Sequence, residues 1–284
     1  MIELPEIAQK TNAVGLHSLG LTGRGIKVAI LDSGIDVDHP FFDGIEIESY
    51  NLTEESLLDE YQHGTHVASI LSFLAPGCSL LNIKVLNRDG KSNISTIMRG
   101  IELAHQHGAD IINISVGEPI YRCPDDHPLS KVIDFVTANG VMIVSSAGNG
   151  GPKKSPFIPG ACQNSVAVGS MNELMRTNKF SSRGDVCKRI YPDCVAFGDD
   201  VYAALPKEQF GPLSGSSQAT PQVTALLALV KEHFGTSFSK EQIDFFFSQS
   251  CSWIENPEKN NLSGWGAIDM LKFFRAVQVH FEQF

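Results

Sequence analysis

Gly215-Ser216-Ser217-Gln218-Ala219-Thr220-Pro221 runs straight into Gln222-Val223-Thr224-Ala225-Leu226-Leu227-Ala228-Leu229-Val230. A glycine-broken loop of hydroxyls ends in a proline, and the apolar run after it reads as a buried helix. Proline suits the first turn of a helix, where its missing N–H costs nothing. Ser217 is therefore expected where a tight loop enters a core helix, close to free N–H groups that favour negative charge. Taken alone, the same residues describe a plain N-cap serine.

A buried helix needs a sheet to pack on, and the chain upstream supplies one. Residues 26–31, 45–50, 79–85, 111–116, 141–146, 165–168 and 201–204 read as strands, being short apolar runs bounded by turn residues. Residues 7–20, 65–74, 94–107, 129–138, 238–250 and 267–277 read as helices. Strands alternating with helices mean an α/β fold with a mostly parallel central sheet. In such sheets functional groups collect outside the carboxyl ends of the strands. Asp32 ends the first strand, Ser115 and Gly117 end a middle one, and Asn149 follows another. His63 opens a helix, as Ser217 does.

The order Asp, His, Asn, Ser is informative because turn chemistry alone does not produce it. The segments are Val28-Ala29-Ile30-Leu31-Asp32-Ser33-Gly34, His63-Gly64-Thr65-His66-Val67-Ala68, Ala147-Gly148-Asn149 and Gly215-Ser216-Ser217-Gln218-Ala219-Thr220-Pro221. On these the chain resembles the subtilisin family of serine proteases. Weaker echoes, among them Gly264-Trp265-Gly266-Ala267-Ile268-Asp269, extend the resemblance to residues 10–277. It implies one three-layer domain over residues 1–284, helices flanking the sheet, and hydrolysis of peptide bonds. Ser217 would be the nucleophile, His63 its base, Asp32 the group that orients His63, and Asn149 a donor to the oxyanion. An extended peptide would add to the strand edge Ser115-Val116-Gly117. Ser146, Gly148 and Phe157 would wall the first pocket, with Phe157 narrowing it where the family often has glycine. Gln218 replaces the methionine usual after the nucleophile. Glu118 reads as a solvated loop acid.

Other chemistries fit less well. His63 and His66 have a spacing that can ligate metal, but the Glu and third ligand of a zinc hydrolase are missing. Gly90-Lys91-Ser92 lacks the leading glycine of a phosphate loop, and no serine lies in a G-x-S-x-G elbow. The resemblance implies no cofactor. The loop through which many secreted relatives bind calcium is missing between Leu74 and Gly77, so no metal is expected there. A net charge of −10 argues against a nucleic-acid groove. No apolar run approaches the ~20 residues that span a bilayer.

The first residues show no secretory signal, so a cytoplasmic location is expected. No pro-segment precedes the domain, which implies folding unaided or earlier loss of that segment. The six cysteines then read as reduced, structural thiols; Cys187 and Cys194 are the one close pair that a disulfide would join. Three roles remain open: a general endopeptidase, a processing enzyme for one precursor peptide, and a non-catalytic binding module.

Overall fold

The computed structural model describes residues 1–153, 156–254 and 258–282. Its centre is a seven-stranded sheet, in spatial order Cys194–Phe197, Val166–Met171, Met142–Ser146, Ile111–Ile114, Lys27–Asp32, Ser79–Lys84 and Ile47–Asn51. Every pairing in it is parallel. Alternate residues of each strand therefore face opposite layers. Val28, Ile30, Ile111 and Val144 pack on one face, with helices His63–Leu74 and Ser216–Phe234. Ala29, Leu31, Ile112 and Ile143 pack on the other, with helices Ile94–Gln106 and Pro128–Ala138. This is the three-layer α/β fold expected. Among the described residues no helix is long and apolar enough to cross a membrane.

Several local readings change. The helix expected over residues 7–20 is two helices, Leu4–Lys10 and Ala13–Ser18. Asn12 breaks it in the left-handed region at φ 58 and donates its amide to Asp269 Oδ2 at 2.9 Å; asparagine accepts that conformation more readily than most residues. The last helix is shifted, running Met270–Glu282. The strand Val201–Leu205 lies outside the central sheet and pairs with Gln209–Leu213 as a hairpin. His107 is half-buried, with Nδ1 3.1 Å from the Tyr50 hydroxyl.

The helix that carries Ser217 also starts earlier than its proline suggests. It runs Ser216–Phe234, so Pro221 lies inside it. An internal proline cannot donate to the carbonyl four residues back, which here belongs to Ser217. That carbonyl instead accepts from the Ser115 hydroxyl at 3.2 Å. The break in the helix ladder is thus repaired from the end of a central strand.

Candidate active site

Parallel strands bring their carboxyl ends to one edge, and the candidate groups there fall into two hydrogen-bonded sets, His63 with Asp32 and Asn149 with Ser216 next to Ser217. Asp32 is the last residue of its strand and is 1% exposed. Its Oδ1 accepts from the Ser33 N–H at 2.7 Å and from His63 Nδ1 at 2.8 Å. A neutral imidazole bonded in this way carries its lone pair on Nε2. Burial opposes a charge on His63, but the Asp32 charge and hydrogen bond, with Asp59 behind them, outweigh it and raise its pKa above the ordinary value. The ring still keeps 17% of its surface exposed, so a reacting group can approach it.

Ser217 is 7% exposed, in the first turn of its helix. Its hydroxyl donates to the Ser115 backbone oxygen at 3.1 Å. Behind it runs a chain of side chains. Thr224 Oγ1 donates to Asn113 Oδ1 at 2.9 Å, Asn113 Nδ2 donates to Ser115 Oγ at 3.1 Å, and Ser115 Oγ reaches the Ser217 carbonyl. Ser115, expected as a substrate edge, is here the brace that ties Ser217 to the sheet. Sequence reading missed this. The signal was the internal Pro221, which leaves one carbonyl needing a donor.

Asn149 follows the Met142–Ser146 strand and is exposed. Its Oδ1 accepts from Ser216 N–H at 2.9 Å and Ser216 Oγ at 3.1 Å. With the oxygen engaged, the amide nitrogen is aimed the other way, beside Gly215. A side chain on Gly215 would bring its Cβ within 3.2 Å of Asn149 Nδ2 and 2.9 Å of Gln218 Oε1. Gln218 is buried next to this site, and its Nε2 has no partner among the described residues.

Of the residues expected to wall the pocket, Gly148 and Phe157 lie together. Gly117 lies against the backbone of Ile158, and a Cβ on Gly148, at φ +94, would fall 2.3 Å from the Phe157 ring. Phe157 thus lies directly over Gly148. The short strands Glu118–Pro119 and Phe157–Ile158 pair antiparallel, and Glu118 is exposed as expected. The Tyr191 hydroxyl donates to the Ala147 carbonyl at 2.8 Å and braces the segment from below. His66 is fully buried, with Nε2 3.0 Å from Val201 O and 3.2 Å from Gly211 O. Burial, followed by the His63 charge, lowers its pKa to about 4. It stays neutral at pH 7 and ties the hairpin to its helix.

The cysteine reading is corrected here. Cys187 bonds Cys123, 64 residues away, and not Cys194. Cys187 stands at a hairpin tip facing the 120–127 loop, whereas Cys194 lies in the edge strand of the seven-stranded sheet, fully buried. Burial holds the Cys194 thiol well above its usual pKa. Among the described residues, one group of three metal-ligating side chains lies close together, and it contains this pair with Asp125; the two sulfurs are bonded to each other. The bridge closes a loop whose entropy corresponds to roughly 4 kcal/mol. Reduction, or Cys187→Ser, is expected to lower the melting temperature by about 5–10 °C. An unchanged melting curve in dithiothreitol would show that the bridge contributes nothing.

Known proteins share this fold and sequence pattern. The subtilase family model (Peptidase_S8) matches residues 23–266. Subtilisin BL of Lederbergia lenta is 34% identical over 269 residues, covering 92% of this chain and 94% of that protein. The major intracellular serine protease of Bacillus subtilis (strain 168) is 33% identical over 259 residues, covering 84% and 78%. The structure of the prenylagaramide maturation protease PagA superimposes with a TM-score of 0.80 at 27% identity, covering 93% of this chain and 98% of that one. The chain therefore belongs to the subtilase family and is a serine endopeptidase of the subtilisin type.

Proposed function

We propose that the chain cleaves peptide bonds through an acyl-enzyme on Ser217, with His63 as base and Asp32 as its orienting partner. The observation that carries this reading is the 2.8 Å bond from His63 Nδ1 to a buried Asp32 carboxylate. It leaves Nε2 as the basic nitrogen of a ring that is 17% exposed. A serine hydroxyl is a weak nucleophile and needs such a base. The Ser217 hydroxyl turns from Ser115 O towards His63 and attacks the scissile carbonyl, and His63 takes its proton. The negative oxygen then accepts from Asn149 Nδ2 and the Ser217 N–H. Collapse of this intermediate breaks the C–N bond, and His63 returns the proton to the leaving amine. Water, activated by the same imidazole, releases the acyl group. A serine-directed fluorophosphonate should label Ser217 and no other residue. A wild-type protein that resists the probe would rule the proposal out.

The substrate is an extended peptide paired with Ser115-Val116-Gly117. Because the Phe157 ring covers Gly148, the residue before the cut is small. Replacing Phe157 by glycine should raise kcat/KM for peptides with a large apolar residue there by at least about tenfold, and lower the preference for small ones. Equal profiles for the two proteins would separate Phe157 from specificity. A pocket narrowed in this way favours a narrow task over general digestion. The likeness to a maturation protease supports the same reading, a processing enzyme for a precursor peptide. Rapid, many-site digestion of casein would point instead to a general protease. Similarity to an intracellular serine protease supports a cytoplasmic location. There the exposed Cys123–Cys187 pair would be reduced, and the enzyme would work without the bridge.

A further inference from the structure

Behind the His63–Asp32 pair lies a closed polar network that the proposed reaction does not touch. Its hub is Asp59, 5% exposed. Asp59 Oδ1 accepts from Ser33 Oγ at 2.7 Å and from the Gln62 N–H at 2.9 Å. Its Oδ2 accepts from the Thr65 N–H at 2.9 Å and from Thr65 Oγ1 at 2.6 Å. Each oxygen takes two donors, the pattern of an acceptor-only carboxylate. Ser33 Oγ in turn accepts from the Gly64 N–H at 2.9 Å. One carboxylate therefore grips the residue after Asp32 and the residues on both sides of His63.

Lys84 completes the network. It is fully buried and pairs with Asp32 across the sheet. Its ammonium donates to Ser33 O and Leu58 O, both at 2.8 Å. Burial pushes the Lys84 pKa down, and the charge on Asp59 opposes that fall. Leu58 precedes Asp59, so the lysine ties the 53–62 loop to the Asp32 strand. Burying a lysine at the end of a central strand is costly unless it is paired and hydrogen-bonded. A plain turn would need neither this lysine nor a carboxylate with four donors.

We propose that Asp59 is a positioning residue for the reaction, anchored by Lys84. It fixes His63 against Asp32, and its negative charge supports the imidazolium that forms when Ser217 gives up its proton. This rests on the triad reading above. The groups around His63 are Asp32 on the neighbouring strand, Asp59 and Tyr61 on the preceding loop, and His66 on its own helix. His66 remains neutral above about pH 4, so Asp59 is the second anion that acts on the ring.

The test is Asp59→Asn, which keeps size and shape and removes the charge. Removing an anion disfavours the imidazolium. The acid limb of kcat/KM should move down by about half a pH unit, and kcat should fall about tenfold or more with KM little changed. A merely structural role would leave the limb where it is, so an unmoved limb overturns the proposal whatever happens to kcat. If Asp59→Asn does not fold, as judged by circular dichroism, Ser33→Ala carries the test. It cuts the tether between Asp59 and Gly64 and leaves the charge in place. Because Asp59 keeps its charge the limb stays put in this variant, and the readout is the split of kcat from KM: a fall in kcat of at least about threefold with KM unchanged supports the positioning of His63, and wild-type kcat, or a raised KM with kcat held, overturns it. Ser217→Ala is measured in parallel. If that variant still cleaves peptide, the triad reading has failed. If it is dead while Asp59→Asn behaves as wild type, only the role of Asp59 has failed.

Discussion

Replacing Ser217 by alanine should lower kcat for a short peptide by about 10⁶, the size known for the nucleophile of subtilisin and carried over on family membership. The expected loss is large because in the proposed mechanism His63, Asp32 and Ser217 act as one unit, so removing any member idles the others. Activity should not fall to that of water. Asn149 and the substrate edge remain, and they leave roughly 10³–10⁴ of acceleration. The fold should survive. The Ser217 hydroxyl makes one hydrogen bond, to Ser115 O at 3.1 Å, and losing such a bond costs about 1 kcal/mol. The brace from Ser115 Oγ goes to the Ser217 carbonyl, which alanine keeps. An inactive variant with near-wild-type melting temperature and no fluorophosphonate label is the predicted result. Retained cleavage after careful removal of contaminating protease would sink the assignment.

How much of this was legible in the sequence follows from the range of the forces involved. Strand ends and helix starts are local signals, so the places of Asp32 at a strand end and of His63 and Ser217 at helix starts were legible. The alternation of strand and helix predicted the parallel sheet for the same reason. Bonds between distant segments left weaker marks. Nothing near Cys187 announces Cys123, because a covalent pair 64 residues apart depends on where two loops end up. Two hairpins were hidden by their turns. Cys187 and Lys188 at one tip, and Lys207 and Glu208 at the other, hold positive φ. Asn or Gly is the usual residue there, so the turn signal was missing. The brace from Ser115 to Ser217 was readable only after the helix start was known, since Pro221 looks harmless in a first turn. Asp59 looked like one more acid in a polar loop until its four donors were in view.

Asn149→Ala should lower kcat about 10²–10³-fold and leave KM nearly unchanged, a range carried over from the equivalent donor in subtilisin. The asymmetry is the point of the measurement. A donor placed where the carbonyl becomes an oxyanion binds the transition state better than the substrate. Preorganisation explains why one amide matters so much. Asn149 Oδ1 already accepts from Ser216 N–H and Ser216 Oγ, and Ser216 Oγ also accepts from Gly148 N–H at 3.0 Å. The amide cannot turn over without breaking these bonds, so its N–H group needs no reorientation during the reaction. Removing Asn149 also strips Ser216 of an acceptor, and a control must separate the two losses. Ser216→Ala keeps the amide and the backbone N–H that anchors it and loses the hydroxyl bonds alone. It should cost only a few-fold in kcat. If Ser216→Ala were as damaging as Asn149→Ala, the loop geometry would be what matters, and the amide would be a support for Ser216. If Asn149→Ala raised KM while kcat held, Asn149 would bind the ground state, and the oxyanion would have to rest on the Ser217 N–H. The predicted pattern, a large fall in kcat for one variant and a small fall for its neighbour, follows only from an amide that is aimed in advance at charge that has yet to form.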